Sequence, residues 1–404
     1  MKVAALLAGL LASSLGLAAP DEAALGKAEG YPVCSIYSGP HPERCLVGAL
    51  SHYDQLVPAH VVAHGPAREL KRAAKEPAIV WNDREKQPNT VDGFLARNRN
   101  TGLLVMQGDT ILVERYQYDR KPEDRFQSFS MAKTVVAMLL GIALEEGKIK
   151  SIDDTAGQYV PELKGQPYGE TRLRHLLTMS SGVRFTENYD GKDDVSVLGA
   201  KTLGQRGPGG ADSVSTFRTR VAPPGTVWHY ASAETEVLGL VVRAAAGKPL
   251  AEYLSEKIWR PMGAEADATW LVDRGGYETG FMGLNATLRD WGRLGMLLAN
   301  DGALDGKQII PAAWIKAATT AEAPYLEVGK ASRYTGYGYQ TWLIHPREPY
   351  FALLGVRGQA VLVDPKSKVV TVHTSVFDDP RHSRVDQFFM FFDTVKYLRQ
   401  NPAL

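Results

Sequence analysis

Ser130 and Lys133, in "SFSMAKTVVAMLL", are the pair of residues in this chain whose types and spacing most clearly suit chemistry. A serine hydroxyl is a weak nucleophile at neutral pH and needs a base beside it. On a helix, positions three apart share a face, so the two side chains would stand one above the other. Ser130 also falls where a helix would begin, and the unpaired N–H groups there favour developing negative charge. Lys133 is followed by Val135, Val136, Met138, Leu139 and Leu140. Burial among such residues disfavours the ammonium form, and a neutral lysine can take a serine proton. A chain of this length holds about one Ser-x-x-Lys by chance, and this is the only one present. The spacing alone therefore also fits an ordinary helix start. Its place at the head of an apolar helix, just after a hairpin, raises it above chance.

The elements around the pair have readable signals. "LLVMQGDTILVERY" predicts two apolar strands joined by Gly108-Asp109, a two-residue hairpin turn. The helix beginning at Ser130 should run to about Glu146 and stop at Gly147. "LRHLLTMSSGV" predicts a helix over 172–179 ending in a Ser-Ser-Gly turn, and the glycine-rich 204–213 cannot be a packed helix. "NATLRDWGRLGMLLAND" carries apolar residues at three- and four-residue spacing, an amphipathic helix. "QAVLVDP" and "KVVTVHTSV" predict strands around an Asp-Pro-Lys turn, and 383–399 a closing helix. Strands at both ends and helices between them imply an α+β fold. One antiparallel sheet, flanked by helices, would pack beside a helical region with a cleft between the two.

The whole chain sets outer bounds. Its 404 residues, 44% hydrophobic, suffice for a large core. A net charge of +1, without a basic cluster interleaved with aromatics, gives nucleic acid no electrostatic footprint. "MKVAALLAGLLASSLGLAAP" has the layout of a secretory signal with a cut after Ala18, so residues 1–18 are read as a leader and the protein as secreted or periplasmic. The apolar run is shorter than the ~20 residues of a span, and no later segment supplies one, so no stable membrane anchor is expected. Cys34 and Cys45 flank a Gly-Pro-His-Pro turn, and an oxidising compartment would pair them. Residues 19–95 look irregular and are read as an extension wrapping a catalytic domain over 96–404. His60 and His64 are spaced as one helical turn but lack the glutamate of a zinc-protease motif, so they are read as packing or surface residues. Neither a metal nor an organic cofactor is expected.

Two further stretches join Ser130 and Lys133: Tyr230-Ala231-Ser232 in "PPGTVWHYAS", and a glycine-rich entry to a strand in "YFALLGVRGQAVLVDP". Taken in this order, the three motifs resemble those of the serine β-lactamase and penicillin-binding superfamily, of the class C type. Within it the chain is most similar to 6-aminohexanoate-dimer (nylon-oligomer) hydrolases and related carboxylesterases, a resemblance spanning about residues 100–400. The resemblance implies a secreted serine hydrolase that cleaves a small ester or amide through an acyl-enzyme on Ser130. It implies that Lys133 takes the serine proton or holds the base in position, and that Tyr230 shuttles a proton to the leaving group and helps activate the hydrolytic water. The backbone N–H groups of Ser130 and Gln359 would form the oxyanion hole. Ser232 would support Lys133, and Tyr189 would touch the substrate.

The third motif departs from the family pattern. Its triplet reads Val356-Arg357-Gly358, with no lysine or histidine nearby. The cation that would grip a β-lactam carboxylate is missing from its usual place. Arg357 is the candidate replacement, and Gly358 would let a substrate carbonyl approach the sheet edge. This favours an esterase or amidase over a strong β-lactamase. A D-amino-acid peptidase, a weak β-lactamase and a catalytically silent scaffold remain the alternatives. His175 and His229 are weak candidates for a general base, and His373 is read as packing. The natural substrate and the oligomeric state are not legible in the sequence.

Overall fold

The computed structural model describes residues 19–36, 42–83 and 85–401. The expected leader, 1–18, lies outside them. The chain's main sheet has eight strands: β1 (Lys71–Arg72), β2 (Asn100–Gln107), β3 (Thr110–Tyr116), β4 (Gly336–Tyr337), β5 (Trp342–Leu343), β6 (Phe351–Gly355), β7 (Gln359–Asp364) and β8 (Val369–Ser375). They lie in the order β4-β5-β6-β7-β8-β2-β3-β1, so the C-terminal strands pair with the N-terminal hairpin through β8 and β2. All neighbours are antiparallel except β1, which runs parallel to β3.

The central strands carry apolar residues on both faces because both faces of the sheet are covered. Leu103, Val105, Ala360 and Leu362 face one core, and Leu104, Met106, Val361 and Val363 the other. Helix α4 (Val385–Gln400) closes the first face with Met390, Phe391, Val395 and Leu398. Helix α3 (Leu288–Ala299) lies across the second. The apolar spacing of α3 is as expected, yet its polar stripe is buried too. Arg293 pairs with Asp290 at 3.0 Å and Glu265 at 2.9 Å, and donates to Arg68 O.

Beyond α3 stands the helical region. Helix α1 (Ala132–Glu145) packs on α2 (Ser232–Ala246). Gly141 of α1 leaves space for Trp314, whose ring would lie 2.3 Å from an added Cβ. A second sheet, in the order Ala59–Val62, Ala268–Leu271, Leu284–Thr287, Arg125–Gln127, leads directly into the Ser130 turn. Segment 19–95 therefore contributes a strand to each sheet. His60 lies on one of them and His64 just beyond it, so their spacing is extended rather than helical. They meet Glu278 at 2.7 Å and Asp267 at 2.6 Å.

Local signals translate directly. Gly108-Asp109 turns the β2–β3 hairpin, with Gln107 opposite Thr110. Gly147 ends α1 at φ 68°. The helix expected over 172–179 spans Leu173–Leu177. Cys34 and Cys45 form a disulfide with their Cα atoms 5.6 Å apart. Among the described residues no helix is long and apolar enough to cross a membrane.

Candidate active site

Ser130 does not open α1 directly. It sits in a 3₁₀ turn, Phe129–Met131, that precedes it. Ser128 fixes this turn to the second sheet: its N–H donates to Leu284 O at 2.8 Å, and its hydroxyl accepts from Leu284 N–H at 3.1 Å. Phe129 is held at φ 44°, the left-handed region that an aromatic residue rarely adopts. The kink leaves Ser130 half-buried at the rim, while Lys133, one turn on, is only 1% exposed.

Lys133 Nζ has three oxygen neighbours: Ser130 Oγ at 2.8 Å, Ser232 Oγ at 3.0 Å and Phe281 O at 3.0 Å. The Ser232 hydroxyl donates to Glu187 Oε1 at 2.9 Å, so towards Lys133 its oxygen can only accept. Phe281 O is likewise an acceptor. Two lysine N–H bonds are thus committed, and the third position of Nζ faces Ser130. In a neutral amine that position is the lone pair. Burial lowers the Lys133 pKa to about 8, against the opposing pull of Glu187 and Glu236.

Tyr230 completes the cluster. Its phenol is hydrogen-bonded to Ser130, and Lys133 Nζ lies 5.1 Å from its ring centroid. Burial raises its pKa well above the ordinary phenol value, and Glu187 raises it further. The Ser130 bond and Arg384 oppose them. Tyr230 is therefore a neutral phenol at neutral pH, a proton donor before it is a base.

Glu187 was not singled out in the sequence. Its Oε2 accepts the Ser232 N–H at 2.9 Å, and its Oε1 accepts both the Ser232 hydroxyl and the Tyr189 phenol, the latter at 2.7 Å. Tyr189 is thereby brought to the same carboxylate that braces the Lys133 cluster. No spacing rule links 187 to 232.

The third motif lies differently from the sequence expectation. Val356-Arg357-Gly358 is not on a strand but forms the tight loop between β6 and β7. Arg357, at φ 60°, folds away from the strand, and its Nη1 donates to Phe377 O at 2.7 Å and to Asp378 O. The structure thus ties Arg357 to the 377–378 backbone and brings its Nη1 to 4.0 Å from Asp378 Oδ1. Gly358, at φ 90°, packs where a Cβ would lie 2.7 Å from the Phe377 ring and 2.9 Å from Ser375 Cβ. Gly355, rather than Gly358, is the glycine packed on the Ser130 turn: an added Cβ there would sit 2.3 Å from Ser128 O and 3.0 Å from Phe129 Cβ. The end of β6 that meets the Ser130 turn is thus three residues before the glycine singled out in the sequence. Gln359 stands in the ladder opposite Gly355, and its side chain is exchanged with Ser375. Among the described residues, the Val356 N–H has no hydrogen-bond partner.

An aromatic wall flanks Tyr230. Trp342 stacks on it at 5.3 Å, and Trp228 and Tyr337 pack edge-on or tilted against Trp342 at 5.9 and 5.0 Å. Tyr339 lies elsewhere, against Trp314. The histidines stay outside the cluster. His175 packs beside Gly225, and His229 Nε2 contacts Phe185 O at 2.5 Å. His373 is buried against Phe94, and burial lowers its pKa to about 3.

The sequence model of the Beta-lactamase family matches residues 89–388, three quarters of the chain. The chain belongs to the Beta-lactamase family. It is 26% identical over 366 residues to the 6-aminohexanoate-dimer hydrolase of Paenarthrobacter ureafaciens, covering 88% of this chain and 91% of that one. A solved structure from Bacillus anthracis, described as a candidate 6-aminohexanoate-dimer hydrolase, superposes with a TM-score of 0.81 at 27% identity. It covers 91% of this chain and 96% of its own. A D-stereospecific amidohydrolase from Streptomyces shares the fold alone, with a TM-score of 0.55 at 16% identity over 72% of this chain and 94% of its own. The protein is thus a serine hydrolase of the β-lactamase family with the α+β fold expected from its sequence.

Proposed function

We propose that the protein cleaves small esters or amides through an acyl-enzyme on Ser130. The observation that carries this reading is the commitment of Lys133: with Ser232 and Phe281 taking two N–H bonds, its third position meets the Ser130 hydroxyl at 2.8 Å. Neutral Lys133 takes the Ser130 proton as Oγ attacks the carbonyl carbon. Tyr230 donates its proton to the leaving group and is reprotonated from Lys133, so no net charge is left behind. Water then attacks the acyl-enzyme with the same groups acting in reverse. The oxyanion rests on the Ser130 N–H and a hairpin N–H. Val356 is favoured over Gln359 for that donor, because it is unpartnered and follows the glycine that touches the nucleophile turn.

Similarity to 6-aminohexanoate-dimer hydrolases and the aromatic wall beside Tyr230 both favour a linear aliphatic ester or amide over the fused ring of a β-lactam. The leader-like N-terminus and the Cys34–Cys45 disulfide support export to an oxidising compartment. The test offers p-nitrophenyl acetate and butyrate, nitrocefin and the linear 6-aminohexanoate dimer to the wild type and to Ser130→Ala. Ester release lost in the variant is the expected result. Dimer cleavage would assign the amidase, and fast nitrocefin turnover would reassign the enzyme as a β-lactamase. A folded wild type inert to every substrate would move the reading to a narrow peptidase or a silent scaffold.

A further inference from the structure

The β6–β7 hairpin is gripped from one side through its carbonyl oxygens. Arg384, the residue before α4, donates from Nη2 to Gly355 O and from Nη1 to Gln359 O at 2.9 Å. Gln387, one turn into α4, donates to Gly358 O at 2.9 Å. Among the described residues Arg384 has no ion-pair partner. Arg384 is half-buried, and its charge is left to neutral acceptors. The two carbonyls, with Gln387 Oε1 at 3.5 Å, are the acceptors that hold it.

The geometry of one peptide unit shows what this arrangement does. Gly355 C=O and Val356 N–H belong to the same planar trans peptide, so they point in opposite directions. Holding the oxygen from the α4 side aims the N–H away from α4. Gly355 lies against Ser128 and Phe129 on its other side. A charge-assisted bond to the oxygen also polarises the amide and strengthens its N–H as a donor. We infer that Arg384 is the positioning residue of the oxyanion hole: it orients and polarises the Gly355–Val356 peptide so that the Val356 N–H receives the developing oxyanion. The cation missing from the third motif is thus supplied from the start of the last helix, and acts through the backbone rather than on the substrate.

This inference rests on Ser130 as the nucleophile, and the experiment separates the two. Arg384→Ala, Arg384→Lys and Ser130→Ala are compared on p-nitrophenyl butyrate, with thermal unfolding as a check on folding. A trifluoromethyl ketone, which forms an oxyanion on the serine, is compared with the methyl ketone that does not. Removing one oxyanion donor costs about 10²–10³-fold in kcat. Arg384→Ala is expected to lose kcat by about 10²-fold, with KM within about threefold. Its affinity for the trifluoromethyl ketone should fall by the same factor, while the methyl ketone is unaffected. Added ethylguanidinium should restore part of the rate, and Arg384→Lys should lie between wild type and alanine. If the alanine variant does not fold, the lysine variant carries the test through the same ketone ratio. An unchanged kcat and ketone ratio would overturn the inference. So would a KM increase confined to carboxylate-bearing substrates, which would make Arg384 a substrate anchor. Retained turnover in Ser130→Ala would instead bring down the underlying reading.

Discussion

The two sides of Ser130 are built from different materials. On one side stand side chains: Lys133, Ser232, Tyr230 and Glu187 form a continuous hydrogen-bonded cluster across α1, α2 and the 187–189 loop. On the other side stands backbone: a hairpin whose glycine touches the Ser130 turn and whose carbonyls are held by Arg384. Side-chain chemistry needs particular residue types and therefore leaves motifs. Backbone chemistry needs only a particular path, which many sequences can follow. The difference predicts that the first side tolerates almost no change of residue type, and that the second tolerates most changes except those that move the path.

The largest effects should come from the side-chain cluster. Ser130→Ala and Lys133→Ala are expected to lower kcat by about 10³-fold or more, as removal of a nucleophile or its base does elsewhere. Lys133→Arg is the sharper probe. It keeps the positive charge but cannot present a neutral lone pair, so it should be as inactive as alanine. Substantial activity in that variant, measured by ester release, would mean that Lys133 acts as a cation and not as a base. Tyr230→Phe removes only the phenol oxygen and keeps the stacking on Trp342. A loss of about 10²-fold or more is expected for leaving groups that need a proton, such as amines. The loss should be smaller for p-nitrophenolate, which leaves readily as an anion. Equal losses on both substrates would break the assignment of Tyr230 as the acid.

The same division decides what was legible beforehand. The Ser130–Lys133 spacing, the Gly108-Asp109 hairpin, the Gly147 stop and the last two strands were all readable, because each is a local pattern with one structural meaning. The Tyr230–Ser232 motif was readable through the family resemblance. The third motif was displaced by three residues, because "LLGVRG" offers two glycines at that spacing. Only the packing shows that Gly355 meets Ser128 while Gly358 meets Phe377. Arg357 looked like the replacement cation because it lies in the motif. Arg384, which holds the carbonyls of Gly355 and Gln359, comes from 27 positions later. Glu187 and Arg384 act through tertiary contacts, and no periodicity in the chain points to either.

The two glycines give an intermediate test of the comparison. Gly355→Ala would place a Cβ 2.3 Å from the Ser128 carbonyl, a backbone atom, so the hairpin must move away from the nucleophile turn. Activity per folded molecule should fall by about 10–10²-fold, short of losing an oxyanion donor outright. Gly358→Ala would meet Phe377 and Ser375 instead, at a φ of 90° that L-residues rarely adopt. It should cost about 1–3 kcal/mol of stability while leaving the activity of the folded fraction close to wild type. Denaturant unfolding and active-site titration together separate the two. If Gly358→Ala were the less active per folded molecule, the strand edge would lie where the sequence first suggested.

The smallest expected effect concerns pH, and its sign follows from the charges around Lys133. The base works when neutral, so kcat/KM should rise with pH and level off above about 8, where the buried amine has lost its proton. Below that it should fall about tenfold per pH unit, since each unit leaves a tenth as much neutral amine. Glu187 pulls the Lys133 pKa upward, against the burial that lowers it. Glu187→Gln removes that pull but keeps an oxygen to accept from Ser232 and Tyr189. The inflection should therefore move to lower pH, and the variant should keep more of its plateau rate at pH 6–7 than wild type does. The plateau itself should drop only severalfold, because the carboxamide can still brace Ser232. An inflection that stayed fixed would separate Glu187 from the base, leaving Glu236 and burial to set the Lys133 proton. One that moved upward would contradict both routes, since the Glu187 carboxylate raises the pKa of Lys133 and of Tyr230 alike.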